Sequence, residues 1–352
     1  MNIQNNIPLA PLTTIKLGGN ASQYITCTTN EDIVAALKHA QEHNLPAGQA
    51  GLRVHVLGGG SNTIFADNGF NGLIIHIQTK GITASADGTL TAQAGEGWDT
   101  VVQYAIVNNL AGIECLSGIP GSAGATPFQN VGAYGQEVAE TIIRVDAINR
   151  QTLEQISFTN TDCNFAYRTS RFKTTDRDRY IITSVTFSLT PNGTPTIKYP
   201  ELAAFVATSA PEASLASVRD AVLTLRKKKS MVVGSEDPNS ISCGSFFTNP
   251  IIALSAFNAL QQHSADKIPN YPAGNTEDGT LLCKLSAAWL VEHAGFSKGL
   301  ERGNVGISQN HSLALINKGG TTQEILALAQ EIQDTVQTTF GVKLEMEPIV
   351  VD

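Results

Sequence analysis

The sequence predicts an α+β protein built from two or three domains. Its 352 residues exceed the roughly 250–300 at which a single hydrophobic core usually splits. Hydrophobic residues make up 42% of the chain, which is enough to form sizeable cores. Helix-like and strand-like segments alternate along the chain, with glycine-rich loops between them. We therefore expect a small αβ region first, a longer strand-rich region next and a mixed region at the end.

The first region begins with a helix that Thr29 and Asp32 would start. A β-branched strand follows in RVHVL and runs into three glycines, and GLIIHIQ reads as a second strand. The helix places four apolar residues on one face, and these are Ile33, Ala36, Leu37 and Ala40.

The second region contains a hairpin turn at Asp87-Gly88, a helix in WDTVVQYAIVNNLAG and strands in IIRVDAINR and YIITSVTFSL. PEASLASVRDAVLTLRKKKS follows as an amphipathic helix. In the last region KLSAAWLVEHAGF and TTQEILALAQEIQDTVQTTFG read as helices, the second opened by a capping box of Thr321 and Glu324. VKLEMEPIVV reads as a final strand.

Composition excludes several classes of protein. A net charge of −8 argues against nucleic-acid binding and against a polybasic membrane surface, since both need a basic face. No apolar run approaches the ~18 residues of a membrane span, and the N-terminus lacks the features of a signal peptide. The cysteines are odd in number and none has CxxC spacing, so we expect reduced thiols in a cytosolic protein. The histidines show no metal-ligand spacing, and we expect no metal.

Two glycine-rich segments are candidates for ligand binding. In LGGGSN, three glycines allow positive φ and let backbone amides approach an anion such as a pyrophosphate. The alternative is a strand-to-turn cluster without function, and the GxGxxG fingerprint of a Rossmann site is absent. The loop Ser117–Gly135 interleaves five glycines with Ile119, Phe128, Val131 and Tyr134, which suits a rigid loop around a cofactor better than a linker. A surface Ω-loop is its alternative.

Four further stretches could carry chemistry. Arg168 in AYRTSRFK can clamp a carboxylate, or form a surface ion pair. LRKKKS is the densest basic run; it can meet a phosphate or simply complement a helix C-terminus. Ser245 in SCGSFFTNP is expected to be half buried, either functional or bonded to backbone. Glu345 and Glu347 in LEMEP fall on one face of a strand, exposed by default.

The motifs LGGGSN, IPGSAGATPFQNVGAYG, AYRTSRFK, SCGSFFTNP and EMEP occur in this order over nearly the whole chain. In this the sequence resembles the UDP-N-acetylenolpyruvoylglucosamine reductase family. The resemblance implies a vanillyl-alcohol-oxidase/PCMH-type pair of FAD-binding subdomains followed by a smaller αβ substrate-binding domain. It places the first FAD subdomain at residues 1–80, the second at 81–228 and the substrate domain at 229–340. Whether 341–352 return to the first subdomain is left open.

The same resemblance assigns site residues. The catalytic set is Ser245, Arg168 and Glu347; Glu347 is chosen over Glu345 by its offset from Phe340-Gly341-Val342. Non-covalent FAD binding is assigned to Gly58, Gly59, Gly60, Ser61, Asn62, Ile119, Pro120, Gly121, Ser122, Gly124, Ala125, Asn130, Gly132, Tyr134, Gly135 and Arg226. Substrate binding is assigned to Tyr167, Tyr199, Lys229, Asn249, Tyr271, Lys298 and His311.

Two positions depart from the family pattern. The tyrosine-bearing loop of one subtype matches Tyr199, but the subtype usually follows this tyrosine with a small or acidic pair, whereas Pro200 follows here. His311 stands where some members carry a glutamine.

The implied reaction is NADPH-dependent reduction of UDP-N-acetylglucosamine enolpyruvate to UDP-N-acetylmuramate, a peptidoglycan precursor, by a cytoplasmic and monomeric enzyme. Hydride would reach the enolpyruvyl terminal carbon from flavin N5, and Ser245 would protonate the α-carbon. Arg168 and a protonated Glu347 would stabilise the charge that spreads into the substrate carboxylate. The alternatives are another flavoprotein of this fold that oxidises a hydroxy acid or alcohol, and a nucleotide-sugar-binding protein without flavin.

Overall fold

A computed structural model describes residues 2–43, 52–209, 212–234, 236–264 and 266–352. Tertiary contacts divide the chain into two compact units, each assembled from separate stretches of sequence. The first unit comprises Met1–Pro8, Asn20–Gly60 and Gly69–Val232. The second unit comprises Leu9–Gly19, Ser61–Asn68 and Val233–Asp352.

The helices are of two kinds. The α-helices are α1 (Asn30–Glu42), α2 (Trp98–Val107), α3 (Pro200–Ser209), α4 (Leu215–Lys228), α5 (Leu254–His263), α6 (Ala287–His293) and α7 (Thr322–Phe340). Short 3-10 helices cover Ala10–Leu12, Glu114–Leu116, Ala123–Ala125, Val138–Glu140, Thr161–Cys163 and Pro238–Ser240.

The strands are short in both units. In chain order they are β1 (Gln4–Pro8), β2 (Asn20–Cys27), β3 (Val54–Leu57), β4 (Thr63–Phe65), β5 (Phe70–Ile77), β6 (Ile82–Ala84), β7 (Thr89–Gln93), β8 (Leu110–Ala111), β9 (Gly132–Ala133), β10 (Gln136–Glu137), β11 (Ile142–Asn149), β12 (Gln155–Thr159), β13 (Tyr180–Ser188), β14 (Thr190–Pro191), β15 (Ile251–Ala253), β16 (Asn270–Asn275), β17 (Leu281–Leu285), β18 (Glu301–Arg302), β19 (Val305–Ile307), β20 (Leu315–Asn317) and β21 (Ile349–Val351).

The first sheet of the first unit has the strand order β1-β2-β5-β3. β1 pairs antiparallel with β2, whereas β5 runs parallel to both β2 and β3. α1 packs its predicted apolar face against Leu73 and Ile75 of β5. The capping box of Thr29 and Asp32 forms at the predicted start of α1. β3 consequently delivers the three glycines at its carboxyl end, the edge of a parallel sheet where ligands bind in open α/β sheets.

The second sheet of the first unit is antiparallel, with the order β12-β11-β13-β7-β6. The predicted Asp87-Gly88 turn joins β6 to β7, and Gly88 takes the positive φ of +89° that this turn needs. α2 buries Trp98 against Phe187 of β13. α3 and α4 form a further cluster that includes Leu202 and Val222. The loop Ser117–Gly135 is thus surrounded by well-packed elements of its own unit.

The second unit is built from two three-stranded sheets, β15-β17-β16 and β18-β19-β20, and a parallel pair of β21 with β4. Its core packs Phe246 and Phe247 with apolar residues of α6 and α7. The predicted capping box of Thr321 and Glu324 begins α7.

Three predictions about elements are wrong in part. The helix predicted in WDTVVQYAIVNNLAG ends at Val107, and Leu110–Ala111 forms strand β8. Only Ile349–Val351 of VKLEMEPIVV forms a regular strand, because Pro348 has no N–H to give to a ladder. The stretch KLSAAWLVEHAGF begins as the end of strand β17, and its helix starts at Ala287, capped by Ser286.

The three domains with their predicted borders stay a prediction. Residues 341–352 do pair with Thr63–Phe65 of the segment 1–80, but both strands belong to the second unit. Within the described residues, no helix combines the length and apolarity needed to cross a membrane.

Candidate functional site

The two glycine-rich segments of the first unit lie in direct contact. A Cβ on Gly59 would lie 2.6 Å from the Cα of Gly121, and one on Gly58 would lie 2.6 Å from the Oγ of Ser122. Both distances are shorter than real Cβ contacts. At Gly59 the obstacle is backbone, so glycine is required there; at Gly58 it is the Ser122 hydroxyl, which can rotate aside. Segments that the sequence separates by about 60 residues therefore form one continuous wall of backbone, which we call the glycine cradle (Gly58–Gly60 with Gly121–Ser122).

The Gly121–Ser122 part of the glycine cradle is held by backbone hydrogen bonds. The carbonyl of Gly121 accepts from the Trp98 amide at 3.0 Å, where α2 begins. The amide of Ala123 donates to Glu96 at 2.8 Å, and the amide of Gly124 donates to Ala94 at 2.9 Å. These hydrogen bonds favour a rigid loop over a flexible linker. The other residues assigned to FAD in this loop, on the same unit, are Ile119, Pro120, Ala125, Asn130, Gly132, Tyr134 and Gly135.

Charged groups fix the start of this loop at Gly118. Asp99 accepts from the Gly118 amide at 2.6 Å and from both terminal nitrogens of Arg219 at 2.6 and 2.7 Å. Burial alone would raise the pKa of Asp99, but the bonds from Arg219 and Gly118 outweigh it and lower the pKa below its usual value. Arg226 donates to the Gly118 carbonyl at 3.1 Å and to Met231 at 2.7 Å. Burial lowers the pKa of the Arg226 guanidinium.

The far end of the loop surrounds Asn130 and Arg168. The Asn130 amide nitrogen donates to Glu137 at 2.7 Å and to the Ala166 carbonyl at 3.1 Å, so this side chain is bound by protein groups. Arg168 has a positive φ of +52° and donates to the Gly132 carbonyl at 2.7 Å. Its guanidinium lies over the ring of Tyr167, 5.5 Å from the centroid. Arg168 is therefore anchored to the predicted flavin loop.

Two predicted substrate residues of the first unit meet at Tyr134. The rings of Tyr134 and Tyr199 make an edge contact at 5.6 Å, and the Lys229 ammonium lies 5.8 Å from the Tyr134 ring centre. Lys229 also forms an ion pair of 2.7 Å with Glu201. Pro200, the departure from the family pattern, is the first residue of α3, where a missing N–H has no cost.

In the second unit, Ser245 and Glu347 are brought onto neighbouring stretches of backbone. The Glu347 amide donates to the Phe246 carbonyl at 2.9 Å, and the Phe246 amide donates to Leu313 at 2.7 Å. Ser245 is half buried as predicted, and within the described residues its hydroxyl makes no hydrogen bond. Glu347 is half buried, whereas Glu345 is exposed, so burial favours the choice of Glu347.

Asn62 connects the LGGGSN segment to Glu347. Its side-chain amide donates to the Glu347 carbonyl at 3.1 Å, and its own carbonyl accepts from Ile349 at 2.9 Å. Ser61 and Asn62 belong to the second unit, while Gly58–Gly60 belong to the first. A single six-residue motif therefore contributes to both units.

The remaining predicted substrate residues of the second unit come from separate segments. Asn249 accepts from the Ala287 amide at the start of α6, at 2.9 Å. Tyr271 on β16 is 54% exposed. Lys298 lies 3.8 Å from Glu292, and His311 accepts from the Leu313 amide at 3.0 Å. These contacts of Asn249, Lys298 and His311 are with groups outside the predicted substrate set, and a shared role for the four residues stays a prediction.

Sequence reasoning missed three acidic residues that hold the site. Asp99 fixes Gly118, Glu201 holds Lys229, and buried Glu114 accepts from Gln136 at 2.8 Å and from the Thr196 amide at 3.0 Å. Their partners lie up to 120 positions away in the chain, as for Asp99 and Arg219. No local motif could have indicated them.

Other reactive groups of the described residues are not arranged as a site. The five cysteines are buried and unpaired, and burial raises the pKa of Cys27, Cys115 and Cys163 to about 12. Within the same residues, no three His, Cys, Asp or Glu side chains are placed to hold a metal ion.

Comparison with known proteins identifies the family of the chain and an FAD-binding domain within it. Residues 21–152 match the family model described as FAD binding domain, and residues 237–351 match that of the UDP-N-acetylenolpyruvoylglucosamine reductase C-terminal domain. Relatives named UDP-N-acetylenolpyruvoylglucosamine reductase are 43% identical in Streptomyces coelicolor (99% of this chain, 90% of the relative) and in Mycobacterium tuberculosis (99% and 95%). A crystal structure of the reductase from Thermus caldophilus covers 100% of both chains, with 22% identity and a TM-score of 0.66.

The fold and the matched FAD binding domain together define an FAD-containing oxidoreductase of the vanillyl-alcohol-oxidase/PCMH type, with a smaller αβ domain, as the resemblance implied. Gly58, Gly59, Gly60 and Gly121 have no side chain, so no Cβ of theirs stands between their amides and an anion such as the pyrophosphate of FAD. At 43% identity over 99% of its length, the chain belongs to the UDP-N-acetylenolpyruvoylglucosamine reductase family.

Proposed function

We propose that the chain reduces UDP-N-acetylglucosamine enolpyruvate to UDP-N-acetylmuramate, with NADPH as the reductant. The observation that carries this proposal is the contact of Gly59 with Gly121, which joins the two segments assigned to FAD. Relatives that share the full length of the chain bear the name of this reductase. The product is a peptidoglycan precursor, made by a monomer in the cytoplasm.

The glycine cradle would hold FAD, which, when reduced by NADPH, would supply the hydride chemistry that reduces the enolpyruvyl double bond. The chain binds the cofactor with the open backbone of Gly58–Gly60 and Gly121. Arg226 and Asp99 bind Gly118, and so keep the nearby Gly121–Ser122 part of the cradle in position. The protein's share in this step is to position the two reactants.

Arg168 and Glu347 act on the substrate carboxylate. As hydride arrives, negative charge develops at the α-carbon and spreads into the carboxylate, where a guanidinium can bind it through two N–H groups. The hydrogen bond from Arg168 to Gly132 orients the guanidinium beforehand. Glu347 contributes only while it carries its proton, because two carboxylates in contact repel.

Ser245 donates the proton that the α-carbon must gain. A hydroxyl is a weak acid in water, but an enolate-like carbon is a strong base, so a positioned serine can serve as the donor. The fully buried rings of Phe246 and Phe247 fix the backbone that follows it. Because the Ser245 hydroxyl has no hydrogen-bond partner among the described residues, it is available for this transfer.

A visible spectrum of the purified protein tests the proposal. We expect flavin absorbance bands, their bleaching on addition of NADPH, and their recovery when the enolpyruvyl nucleotide is added. Recovery with a hydroxy acid's oxidised partner but not with the nucleotide would indicate the alternative oxidase. A colourless protein that binds the nucleotide would indicate a binding protein without flavin.

A further inference from the structure

Glu201 forms an ion pair with the ammonium of Lys229, which the family resemblance assigns to substrate binding and which we take to meet the diphosphate of the proposed substrate. Its carboxylate lies 2.7 Å from the Lys229 nitrogen, and both side chains are partly exposed, at 44% and 31%. Glu201 stands in the first turn of α3, two residues after Tyr199. The ion pair therefore joins the start of α3 to the end of α4, where Lys229 is the C-cap.

The position of Lys229 is set by its backbone. Its amide donates to Leu225 at 3.3 Å and to Arg226 at 3.1 Å, so the residue continues the α4 ladder, and the next residue, Ser230, turns away with a φ of +56°. The ammonium lies over Tyr134, a residue of the flavin loop. The backbone of Lys229 is therefore fixed at the end of α4, and Glu201 is the carboxylate that an anion binding the ammonium would displace.

A phosphate and the Glu201 carboxylate compete for the same positive charge. An ammonium carries three donors but a single charge, and the carboxylate screens it from a second anion. We propose that Glu201 is a positioning residue that sets the affinity for the substrate diphosphate by competing for Lys229. This inference rests on the proposed function.

The test measures the Kd of uridine diphosphate for the FAD-loaded enzyme by isothermal titration calorimetry. Glu201→Gln keeps the size of the side chain and removes its charge. We expect a Kd about two- to fivefold lower, because this is the fold-change that corresponds to the interaction free energy of a partly exposed ion pair. The gain should shrink as salt is raised. KM for the enolpyruvyl nucleotide should fall by the same factor without a rise in kcat, because uniform binding does not lower the chemical barrier.

Three variants serve as controls. Glu212→Gln, at an exposed position, removes one negative charge away from Lys229 and should leave the Kd unchanged. Glu140→Gln breaks the neighbouring ion pair with Lys198, 2.9 Å long, and should also leave it unchanged. In the Lys229→Ala background, Glu201→Gln should no longer tighten binding.

The inference is overturned if Glu201→Gln binds uridine diphosphate no tighter than the wild type, or if the gain persists in the Lys229→Ala background. An equal gain in Glu140→Gln also overturns it, because that result would assign the effect to loosening of the Tyr199 segment. A wild-type enzyme that holds FAD but does not bind uridine diphosphate overturns the proposed function, and this inference with it. Unchanged binding in Glu201→Gln alone leaves the proposed function intact.

Discussion

The backbone amide of Glu347 donates a hydrogen bond of 2.9 Å to the carbonyl of Phe246. The Thr248 amide donates to Glu345 at 3.0 Å, so a short antiparallel bridge holds SFFT beside EME. Ser245 and Glu347, although distant in sequence, are thereby attached to one piece of backbone structure in the second unit. The bridge therefore limits how far the backbones of these two residues can move apart.

The serine carries the first prediction. Ser245→Ala should leave flavin reduction by NADPH nearly intact and slow substrate reduction by about 10²–10⁴, the usual worth of a positioned general acid. Stopped-flow spectroscopy of the two half-reactions separates these effects. Thr248→Val removes a hydroxyl three residues further along the chain and should leave the rates of both half-reactions unchanged. Two unchanged half-reactions in Ser245→Ala would show that the proton comes from elsewhere.

A second prediction concerns the two glutamates. Glu347→Leu should lower kcat by about 10²–10³, comparable to the loss of one oxyanion donor. Glu347→Gln should lose less, because its amide still donates a hydrogen bond to a carboxylate. Exposed Glu345 serves as the matched control, and Glu345→Leu should retain wild-type kcat. The assigned role would be wrong if kcat fell as far in Glu347→Gln as in Glu347→Leu and Glu345→Leu also lowered kcat.

The glycine cradle supports a third prediction. Gly59→Ala should weaken FAD binding by about tenfold or more, because overpacking costs about 1–3 kcal/mol and the new methyl would meet Gly121 backbone. The flavin-to-protein ratio after dialysis measures this. Gly274→Ala is the control: its Cβ meets nothing within 4 Å, and its φ of +79° costs stability alone. Full flavin content in Gly59→Ala would contradict a tight fit.

Asp99 carries a prediction about pH. The pKa of Asp99 is lowered in the folded protein, so its stabilisation is present above the unfolded value of about 3.9 and is lost as pH falls through the folded value. Asp99→Asn should lower the free energy of unfolding by about 1–2 kcal/mol at pH 7. The difference from wild type should shrink below about pH 4 in urea unfolding.

The control for Asp99 is Asp334→Asn on α7, where the carboxylate accepts from Gln330 on an exposed surface. This variant should stay within about 0.5 kcal/mol of wild type at both pH values. A pH-independent deficit in Asp99→Asn would mean that lost packing, and not the ion pair with Arg219, explains the effect.

Local patterns were enough to predict much of this protein. The apolar face of α1, the capping boxes at Thr29 and Thr321 and the Asp87-Gly88 turn all form where the sequence indicated, because each depends on residues within a few positions of one another. The ordered series of motifs indicated the family, the fold class and FAD. α3 was missed, although Pro200 at its first position and Leu202 and Val206 on its buried face carried a signal.

Which distant groups meet became known only from the folded chain. The contact of Gly59 with Gly121, the salt bridge of Asp99 with Arg219 and the pairing of Lys229 with Glu201 join positions that no local period relates. Helices, caps and turns could be predicted from the sequence, since they follow from backbone propensity and side-chain spacing. Long-range partners are selected by packing and charge after the chain has folded back on itself, so a linear reading could name the cradle's glycines but not what holds them.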